Sequence, residues 1–401
     1  MAKAFDGVRV IDFSQVLAGP VATAQLALLG ADVIKIEQPG VGDQARSMMA
    51  DGIWAERKLA PNFLGANPNK RSITLDLKHP RAKEVVQRLL GDADVVVQNF
   101  KAGVIDRLGF GYDAVKAIRP DVVYCSISGY GQEGPKAPAA AYDGAIQAAS
   151  GMMSLTGTPE SGPLRAGFMV VDLATAITAA FAIASALYRR KVTGEGQFLD
   201  VAMNDTAIAM MNPVVSNYLV GGWEPALIGN TSPTKQGTAN TWPTADGWLT
   251  IAVVTDRLIA PLCRGLGRPD LAGDERFAHE PGRITHAASI DQEIAGILAT
   301  NTTAHWVERL RAEGVPASPV NALHEALEDE QLGHRRVLMD LPAPAGLNGR
   351  ITVPGAGFLC DADSPSAESP PPTLGQHTDG VLGELGYSEA DVAALRAEGA
   401  I

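Results

Sequence analysis

The chain has 401 residues, a length that favours two domains over a single core. Its composition, 46% hydrophobic and 19% charged, is that of a globular protein, and its net charge of −12 argues against general binding to nucleic acids or anionic membrane surfaces. The three cysteines form no CxxC pair, and the seven histidines form no HxH or HExxH motif. With no apolar signal segment at its start, the chain is predicted to be cytoplasmic, without a disulfide framework or a metal site.

Strands and helices alternate through the first half of the chain. A strand at 8–13, a helix at 21–29 and a strand at 31–37 form the βαβ pattern of a parallel sheet. Further strands are predicted at 72–77, 94–98, 122–128 and 198–202, and further helices at 80–90, 112–118 and from 205 onward.

Three segments would follow the carboxyl ends of these strands, at 17–19, 99–100 and 129–134. In open α/β sheets ligands bind beyond the carboxyl ends of the strands. These segments are therefore the first candidates for a binding site.

The composition changes near residue 221. Residues 229–240 are rich in Thr, Ser, Asn and Gly, which is typical of a linker, and a strand at 247–254 and helices up to about 326 follow. A second connecting segment, rich in Pro and Ala, spans 342–372, and an amphipathic helix is predicted at 388–396. The pattern predicts a second, smaller domain in the second half of the chain.

Asp172 precedes the longest apolar segment. Residues 173–188 contain seven Ala and no charge, Gly or Pro, which predicts a buried helix too short to span a membrane, and 168–171 are typical of a buried strand or its end. Asp is a favoured N-cap, so the simplest interpretation of Asp172 is a helix cap. A nucleophilic role is compatible with it, because the dipole of the helix favours an ionised carboxylate.

Other signals are weaker. Residues 129–134 match GxGxxG, but Pro135 and Pro138 follow where a dinucleotide site needs a helix, so a flexible glycine-rich loop is favoured. Arg46, in a Gly-rich loop, is either a binder of a carboxylate or phosphate or an exposed loop residue. Composition and spacing alone identify no reaction.

Taken together, several segments resemble the class III CoA-transferases, the family of formyl-CoA:oxalate and crotonobetainyl-CoA:carnitine CoA-transferases. The resemblance covers nearly the whole chain and rests on the order and spacing of the segments. They are VLAGP at 16–20, LGADVIKIE at 29–37, GD at 42–43 with Arg46, NKRSITLDLK at 69–78, NF at 99–100 with Gly103, DRLGF at 106–110, SGYGQEGP at 128–135, Asp172, TGEGQ at 193–197, DGW at 246–248, DERF at 274–277, GVPASPV at 314–320 and LGQHT at 374–378.

The resemblance implies an α/β fold. Residues 1–220 would form a Rossmann-like, CoA-binding large domain with a parallel sheet, followed by a linker at 221–240 and a smaller α+β domain at 241–330. Residues 331–401 would be a linker and a tail that returns to the large domain. Two chains would thread through one another as interlocked rings, giving an obligate homodimer.

It also implies a CoA-transferase that moves CoA from an acyl-CoA to a free carboxylic acid, with coenzyme A as substrate and product and no tightly bound cofactor. Asp172 matches the catalytic aspartate, which would form a mixed anhydride and then an aspartyl-CoA thioester. Tyr142 and Asp143 match active-site residues, and Gly129 and Gly131 belong to a loop whose N–H groups are candidate oxyanion donors. The residues that match CoA contacts are Val16, Ala18, Leu75, Lys78, Asn99, Phe100, Val104 and Arg107.

Departures from the family pattern narrow the substrate. Leu17, Gln38 and the segment 237–240 differ from the formyl-CoA enzyme and argue against formyl-CoA:oxalate exchange. The segment 142–172 most resembles enzymes that use succinyl-CoA and dicarboxylic acids such as glutarate, malate, itaconate or mesaconate. Arg46 or Arg165 would then pair with the distal carboxylate.

Two alternatives remain at this point. The related 2-methylacyl-CoA racemases carry Gly-His-Asp where this chain has Ala141-Tyr142-Asp143, and a tyrosine with an ordinary pKa of about 10 is a poor base at neutral pH. A non-catalytic acyl-CoA-binding protein is the other alternative, and the presence of Asp172 argues against it.

Overall fold

The computed structural model describes residues 2–401, which form two compact units. The first unit contains the chain up to Met153 together with Arg165–Glu224 and Gln331–Ile401. The second contains Ser154–Leu164 and Pro225–Glu330. Each unit is therefore built from segments that are separated in the sequence.

The strands are β1 (Arg9–Asp12), β2 (Asp32–Glu37), β3 (Lys70–Thr74), β4 (Val95–Gln98), β5 (Val123–Ser128), β6 (Gly157–Thr158), β7 (Gly162–Pro163), β8 (Gln197–Ala202), β9 (Ala239–Pro243), β10 (Trp248–Ala252), β11 (Ala317–Pro319), β12 (Leu338–Pro342) and β13 (Arg350–Pro354).

The α-helices are α1 (Ala18–Leu28), α2 (Gly52–Glu56), α3 (Pro61–Ala66), α4 (Pro80–Gly91), α5 (Val104–Leu108), α6 (Tyr112–Ile118), α7 (Asp143–Ala149), α8 (Val170–Thr193), α9 (Met203–Met210), α10 (Asn212–Gly221), α11 (Ile259–Gly265), α12 (Glu275–Ala278), α13 (Glu280–Thr285), α14 (Ala287–Leu298), α15 (Thr303–Ala312), α16 (Leu323–Leu327), α17 (Glu330–Arg335), α18 (Thr378–Glu384) and α19 (Glu389–Ala397).

The first unit is organised around a six-stranded parallel sheet in the order β3-β2-β1-β4-β5-β8. The predicted α/β class with a parallel sheet is confirmed. The strand order reverses between β1 and β4, because the chain builds outward from β1 on one side and from β4 on the other. Such a reversal opens a crevice at the carboxyl ends of the two central strands, where open α/β sheets bind ligands.

Apolar helices cover both faces of this sheet. On one face Ile11 and Val96 pack with Val85 of α4 and Leu395 of α19. On the other face Val10, Val33 and Val95 pack with α1 and α8. Burial on both faces is why the strands are runs of Val and Ile rather than alternating sequences.

Helix α8 differs from the sequence-based expectation in three ways. It begins at Val170, so the segment 168–171 is no strand, and Met169 rather than Asp172 is its N-cap. Asp172 instead lies in the first turn. The helix is also not buried all round, because Ile177, Phe181 and Tyr188 are 55%, 74% and 72% exposed in the single chain.

The length of α8 also exceeds the expected sixteen residues. With 24 residues and a mean hydropathy of 1.9 in its most apolar window, it is long and apolar enough to cross a membrane. Core helices of globular proteins pass the same test, and Ala176, Ala179 and Ile183 of α8 pack against α1 and the sheet.

The second unit has its own core. Its three-stranded antiparallel sheet, in the order β11-β10-β9, packs Leu249 and Ile251 against helices α11, α14 and α15. The last two residues of the predicted linker, 221–240, belong to a strand, because β9 begins at Ala239.

Candidate active site

The turn between β1 and α1 lies at the crevice and has an unusual backbone. Val16 has φ +68°, a left-handed conformation that a β-branched residue rarely adopts. Asn99, directly after β4, accepts from the N–H of Gln15 at 2.8 Å and donates to its carbonyl at 2.7 Å. Position 19 requires glycine, because a Cβ there would overlap the side chain of Ser14. The ends of the two central strands are thus joined by hydrogen bonds.

Buried ion pairs lie beneath this turn. Lys35 Nζ is 2.9 Å from Asp43 Oδ2, and both side chains have no exposed surface. Asp43 Oδ1 accepts from the backbone N–H of Val16 at 2.9 Å, and Lys35 donates to the carbonyl of Ser14 at 2.6 Å. The Lys35–Asp43 pair therefore holds the backbone of the turn at Ser14 and at Val16.

A second buried pair holds the start of the turn. Lys70 Nζ is 3.1 Å from Asp12 Oδ2 and donates to the carbonyl of Pro20 at 2.7 Å, while Asp12 Oδ1 accepts from the N–H of Ser14 at 2.9 Å. Burial raises the pKa of Asp12, but Lys70 and Lys35 outweigh it and lower that pKa to about 2. Asp12 is therefore ionised throughout the physiological range.

Arg46 belongs to this buried layer and not to the binding surface. Its guanidinium pairs with both oxygens of Glu37 at 2.6 Å, donates to the carbonyl of Pro372 at 3.2 Å and lies 3.7 Å from the centre of the Phe63 ring. Both side chains of the pair are essentially unexposed. The interpretation of Arg46 as a ligand for a substrate carboxylate is wrong, because its donors are already used.

Asp143 caps helix α8. It lies at the start of α7, is 7% exposed, and its Oδ2 accepts from the N–H groups of Val171 and Asp172 at 2.8 and 3.1 Å. Its other oxygen, Oδ1, accepts from Gln147 at 2.5 Å. The cap of α8 thus comes from a residue almost thirty positions earlier, and this leaves the Asp172 carboxylate free.

The electrostatics of Asp172 follow from this arrangement. Burial, and to a smaller extent the neighbouring Asp143 carboxylate, raise the pKa of Asp172 to about 6. This rise is opposite in direction to the effect of a helix dipole, which favours the ionised carboxylate. At pH 7 it is still ionised in roughly nine molecules of ten.

Two cavities meet at Asp172. The first, of about 430 Å³, is lined by the β1–α1 turn, by Asn99, Phe100 and Lys101, and by Ala137 and residues 139–142. The second, of about 410 Å³, is lined by Met48, Met49, Asn62, Arg165 and Phe168, among others. Val16, Leu17, Tyr142 and Asp172 line both cavities.

The structure brings many of the expected site residues together. Asp172, Tyr142, Gly129, Val16, Ala18, Asn99 and Phe100 all line the first cavity, and Asp143 and Arg165 line the second. Gly129 permits close contact with Ala141, where a Cβ would overlap that side chain. These residues come from six separate places in the sequence.

Other expected residues lie elsewhere. Lys78, Val104 and Arg107 are not among the lining residues of either cavity. Leu75 is 1% exposed in the core of the sheet, so its side chain is not available to a ligand. In the glycine-rich loop the N–H of Gly131 donates to Ser128 and that of Gln132 donates to Asp200, so neither is free to stabilise an oxyanion.

Several lining residues were not among those predicted from the sequence. Lys101 stands beside Asn99 and Phe100 and could have been found by extending that segment. Met48, Met49 and Asn62 come from a region of short helices that carries no motif. Among residues 2–401 no group of three or more His, Cys, Asp or Glu side chains is placed to hold a metal ion.

Arg165 is an exposed cation at the second cavity. Its Nη1 would lie 3.6 Å from a Cβ placed on Gly144, so the guanidinium is close to the start of α7. In the part of the chain that the structure describes, no carboxylate is within ion-pair distance of it. It is therefore an unpaired positive charge that faces the space next to Asp172.

The chain is similar to known proteins over almost its whole length. The model of CoA-transferase family III matches residues 5–378. A succinyl-CoA:glutarate CoA-transferase from Mus musculus is 35% identical over 403 residues, covering 100% of this chain and 90% of that protein. A succinate–glutarate CoA-transferase from Agrobacterium fabrum is 38% identical, covering 94% of this chain and 95% of that protein. The crystal structure of a CaiB/BaiF family protein from Brucella suis has a TM-score of 0.85 at 34% identity, covering 96% of this chain and 100% of that one.

Proposed function

Because the chain belongs to CoA-transferase family III and is a CoA-transferase, we propose that it moves CoA from succinyl-CoA to a free dicarboxylic acid through a covalent intermediate on Asp172. The observation that carries this proposal is the position of Asp172, the one acidic side chain that lines both cavities among the described residues. A nucleophile at this position reaches a thioester from one cavity and an acid from the other. The arrangement suits exchange of one group between two partners.

The ionisation of Asp172 supports a nucleophilic role. With a pKa raised to about 6 by burial and by Asp143, the carboxylate is ionised at pH 7. Partial desolvation also removes water that would shield its oxygens, so it is more reactive than an exposed carboxylate. No general base is needed because the attacking group carries no proton.

The steps balance without any proton transfer. A carboxylate oxygen of Asp172 attacks the thioester carbonyl, the C–S bond breaks, and a mixed anhydride and CoA thiolate form. The thiolate attacks the aspartyl carbonyl, which releases the donor acid as a carboxylate and leaves an aspartyl-CoA thioester. The acceptor carboxylate then attacks this thioester, which gives a second mixed anhydride and frees the thiolate. The thiolate attacks the acceptor carbonyl of this anhydride, and Asp172 leaves as a carboxylate. The net reaction exchanges one thioester for another of similar energy, and covalent catalysis divides this exchange into separate steps.

A dicarboxylic acceptor fits the second cavity. One carboxylate of the acid must approach Asp172, and the other would then meet the unpaired guanidinium of Arg165. Met48, Met49 and Phe168 give the same cavity an apolar lining that suits the methylene groups between the two carboxylates. Both relatives named above carry glutarate in their names.

We propose in addition that two copies form the interlocked homodimer. The exposed apolar residues of α8, Ile177, Phe181 and Tyr188, lie on the face turned away from the sheet. Leu219 and Val220 of α10 are 73% and 89% exposed. An apolar surface of this kind is typical of an interface between subunits.

The test is to trap the intermediate. The protein is mixed with succinyl-CoA without acceptor, treated with borohydride and mapped by peptide mass spectrometry. Conversion of Asp172 to homoserine is the expected result, because borohydride reduces a thioester or an anhydride but not a free carboxylate. The Asp172→Asn variant is the matched control and gives no such product. Unmodified Asp172, together with transfer activity in a coupled assay, would contradict the covalent mechanism.

A further inference from the structure

The β1–α1 turn is held by groups that lie outside it. Its polar backbone atoms are bound at Ser14 by Lys35, at Gln15 by Asn99 and at Val16 by Asp43. Val16 and Leu17 line both cavities together with Asp172. The position of this wall relative to the reacting carboxylate is therefore set by buried side chains.

Val16 makes the turn depend on these contacts. A left-handed backbone is disfavoured for a residue branched at Cβ, so the turn relaxes toward another conformation unless the surroundings hold it. The carboxylate of Asp43 provides this hold by accepting the N–H of Val16 at 2.9 Å and that of Ala45 at 2.9 Å. Residues held in this way cluster at active sites, where strain is part of the arrangement.

Both members of the Lys35–Asp43 pair are charged. Burial alone lowers the pKa of Lys35, but Asp43, Asp12 and Glu37 outweigh it and raise that pKa above its ordinary value. Burial raises the pKa of Asp43, and Lys35 outweighs it in the opposite direction. A charged acceptor binds the Val16 N–H more firmly than a neutral one.

We propose that Lys35 and Asp43 are positioning residues for CoA transfer: the pair holds Val16 in its left-handed conformation and so fixes the wall of both cavities against Asp172. The inference rests on the proposed function in taking Asp172 as the reacting group. Neither side chain has exposed surface, so neither touches a substrate. Their effect passes through the backbone of Val16 and Leu17.

The experiment is a double-mutant cycle with Asp43→Asn and Val16→Gly. Asparagine keeps an oxygen for the Val16 N–H but presents an NH₂ group to Lys35, so it holds the turn less firmly. We expect Asp43→Asn to lower kcat, expressed per folded molecule, by about 10- to 100-fold, with a much smaller change in KM for the CoA donor. Glycine adopts a left-handed backbone without strain, so in the Val16→Gly background the same substitution lowers kcat by less than about threefold.

The double-mutant cycle includes a control substitution and a replacement variant. Asp94, at the amino end of the central strand β4, accepts the N–H of Arg9 at 2.8 Å and pairs with Arg190 at 2.9 Å. Asp94→Asn removes a comparable charge there and should show no coupling to Val16→Gly. If Asp43→Asn does not fold, Lys35→Gln takes its place, because it removes the positive charge of the pair and keeps a polar side chain at position 35.

A substrate-free measurement separates this inference from the proposed function. Amide hydrogen exchange of the segment 14–18 should be at least about tenfold faster in Asp43→Asn than in the wild type, and much less changed when Val16 is already glycine. Additive effects on kcat and on exchange would overturn the positioning role. If the wild type transfers no CoA to any dicarboxylate, the proposed function fails, and the exchange cycle still decides the role of the pair.

Discussion

Replacement of Asp172 by asparagine should stabilise the folded chain while abolishing CoA transfer. Folding moves this carboxylate from water into a partly buried position beside Asp143, and its pKa rises from 3.8 to about 6. A raised pKa means that the folded protein binds the proton more tightly than the unfolded chain. Between these two pH values the free energy of unfolding therefore falls as the pH rises, and above pH 6 the whole loss is present.

The size of the effect follows from the pKa change. At about 1.4 kcal/mol for each pH unit, the rise from 3.8 to about 6 costs close to 3 kcal/mol of stability at pH 7.5. Solvent near the partly exposed carboxylate reduces this to about 2 kcal/mol. A chain of 401 residues has an unfolding entropy near 0.8 kcal/mol/K, so the melting temperature of Asp172→Asn should exceed that of the wild type by about 2–3 °C.

The assay is thermal unfolding of both proteins between pH 4 and pH 8. The difference in melting temperature should be small at pH 4, grow through pH 5 and 6, and level off above pH 7. Asp205 provides a matched control, because it occupies the same third position of a helix, α9, but is exposed. Asp205→Asn should give no stabilisation at any pH. A difference for Asp172→Asn that is absent at pH 8, or equal at pH 4 and pH 8, would refute the desolvation argument.

Four further outcomes are expected. The kcat/KM of the wild type should fall below a pH of about 6, because protonated Asp172 cannot attack, and a rate that stays constant down to pH 4.5 would contradict the raised pKa. Asp143→Asn should shift the fall of kcat/KM at low pH to a lower pH by less than about one unit, because burial contributes more to the raised pKa of Asp172 than Asp143 does. A shift of the pH–rate profile to higher pH would contradict a contribution of the Asp143 charge. Arg165→Gln should raise KM for glutarate by about tenfold or more, because one charge-assisted hydrogen bond is lost, and should leave KM for succinyl-CoA nearly unchanged. Equal effects on both KM values in initial-rate measurements would show that Arg165 does not belong to the acceptor site. Phe181→Asp, which places a charge on the exposed face of α8, should convert a dimer into monomers in light scattering, and a monomeric wild type would disprove the dimer.

Local sequence patterns predict the class of fold and the place of the proposed nucleophile, Asp172, along the chain. The βαβ pattern of the first 37 residues can be predicted from local sequence, because it depends only on apolar periodicity, a helix and a turn. This pattern predicts the parallel sheet that the structure contains. Asp172 was visible because it stands before an uncharged, Ala-rich helix. The family resemblance needed only the order and spacing of short segments.

Predictions from the sequence are wrong for residues whose roles depend on partners distant in the chain. Arg46 looked like a free loop cation, but the fold buries it against Glu37 and Phe63. Asp172 looked like a cap of its own helix, but Asp143 supplies the cap from α7. Neither contact follows from local spacing, because each needs two separate segments to be packed together.

The electrostatics of the site depend on the packing of segments that are distant in sequence. A pKa depends on burial and on neighbouring charges, and both are fixed when the segments around the crevice pack. The raised pKa of Asp172 and the ionised Lys35–Asp43 pair beneath Val16 are consequences of that packing. The place of the proposed nucleophile thus follows from local sequence, while contacts between residues far apart in sequence set the charge of Asp172 and the residues that line the cavities around it.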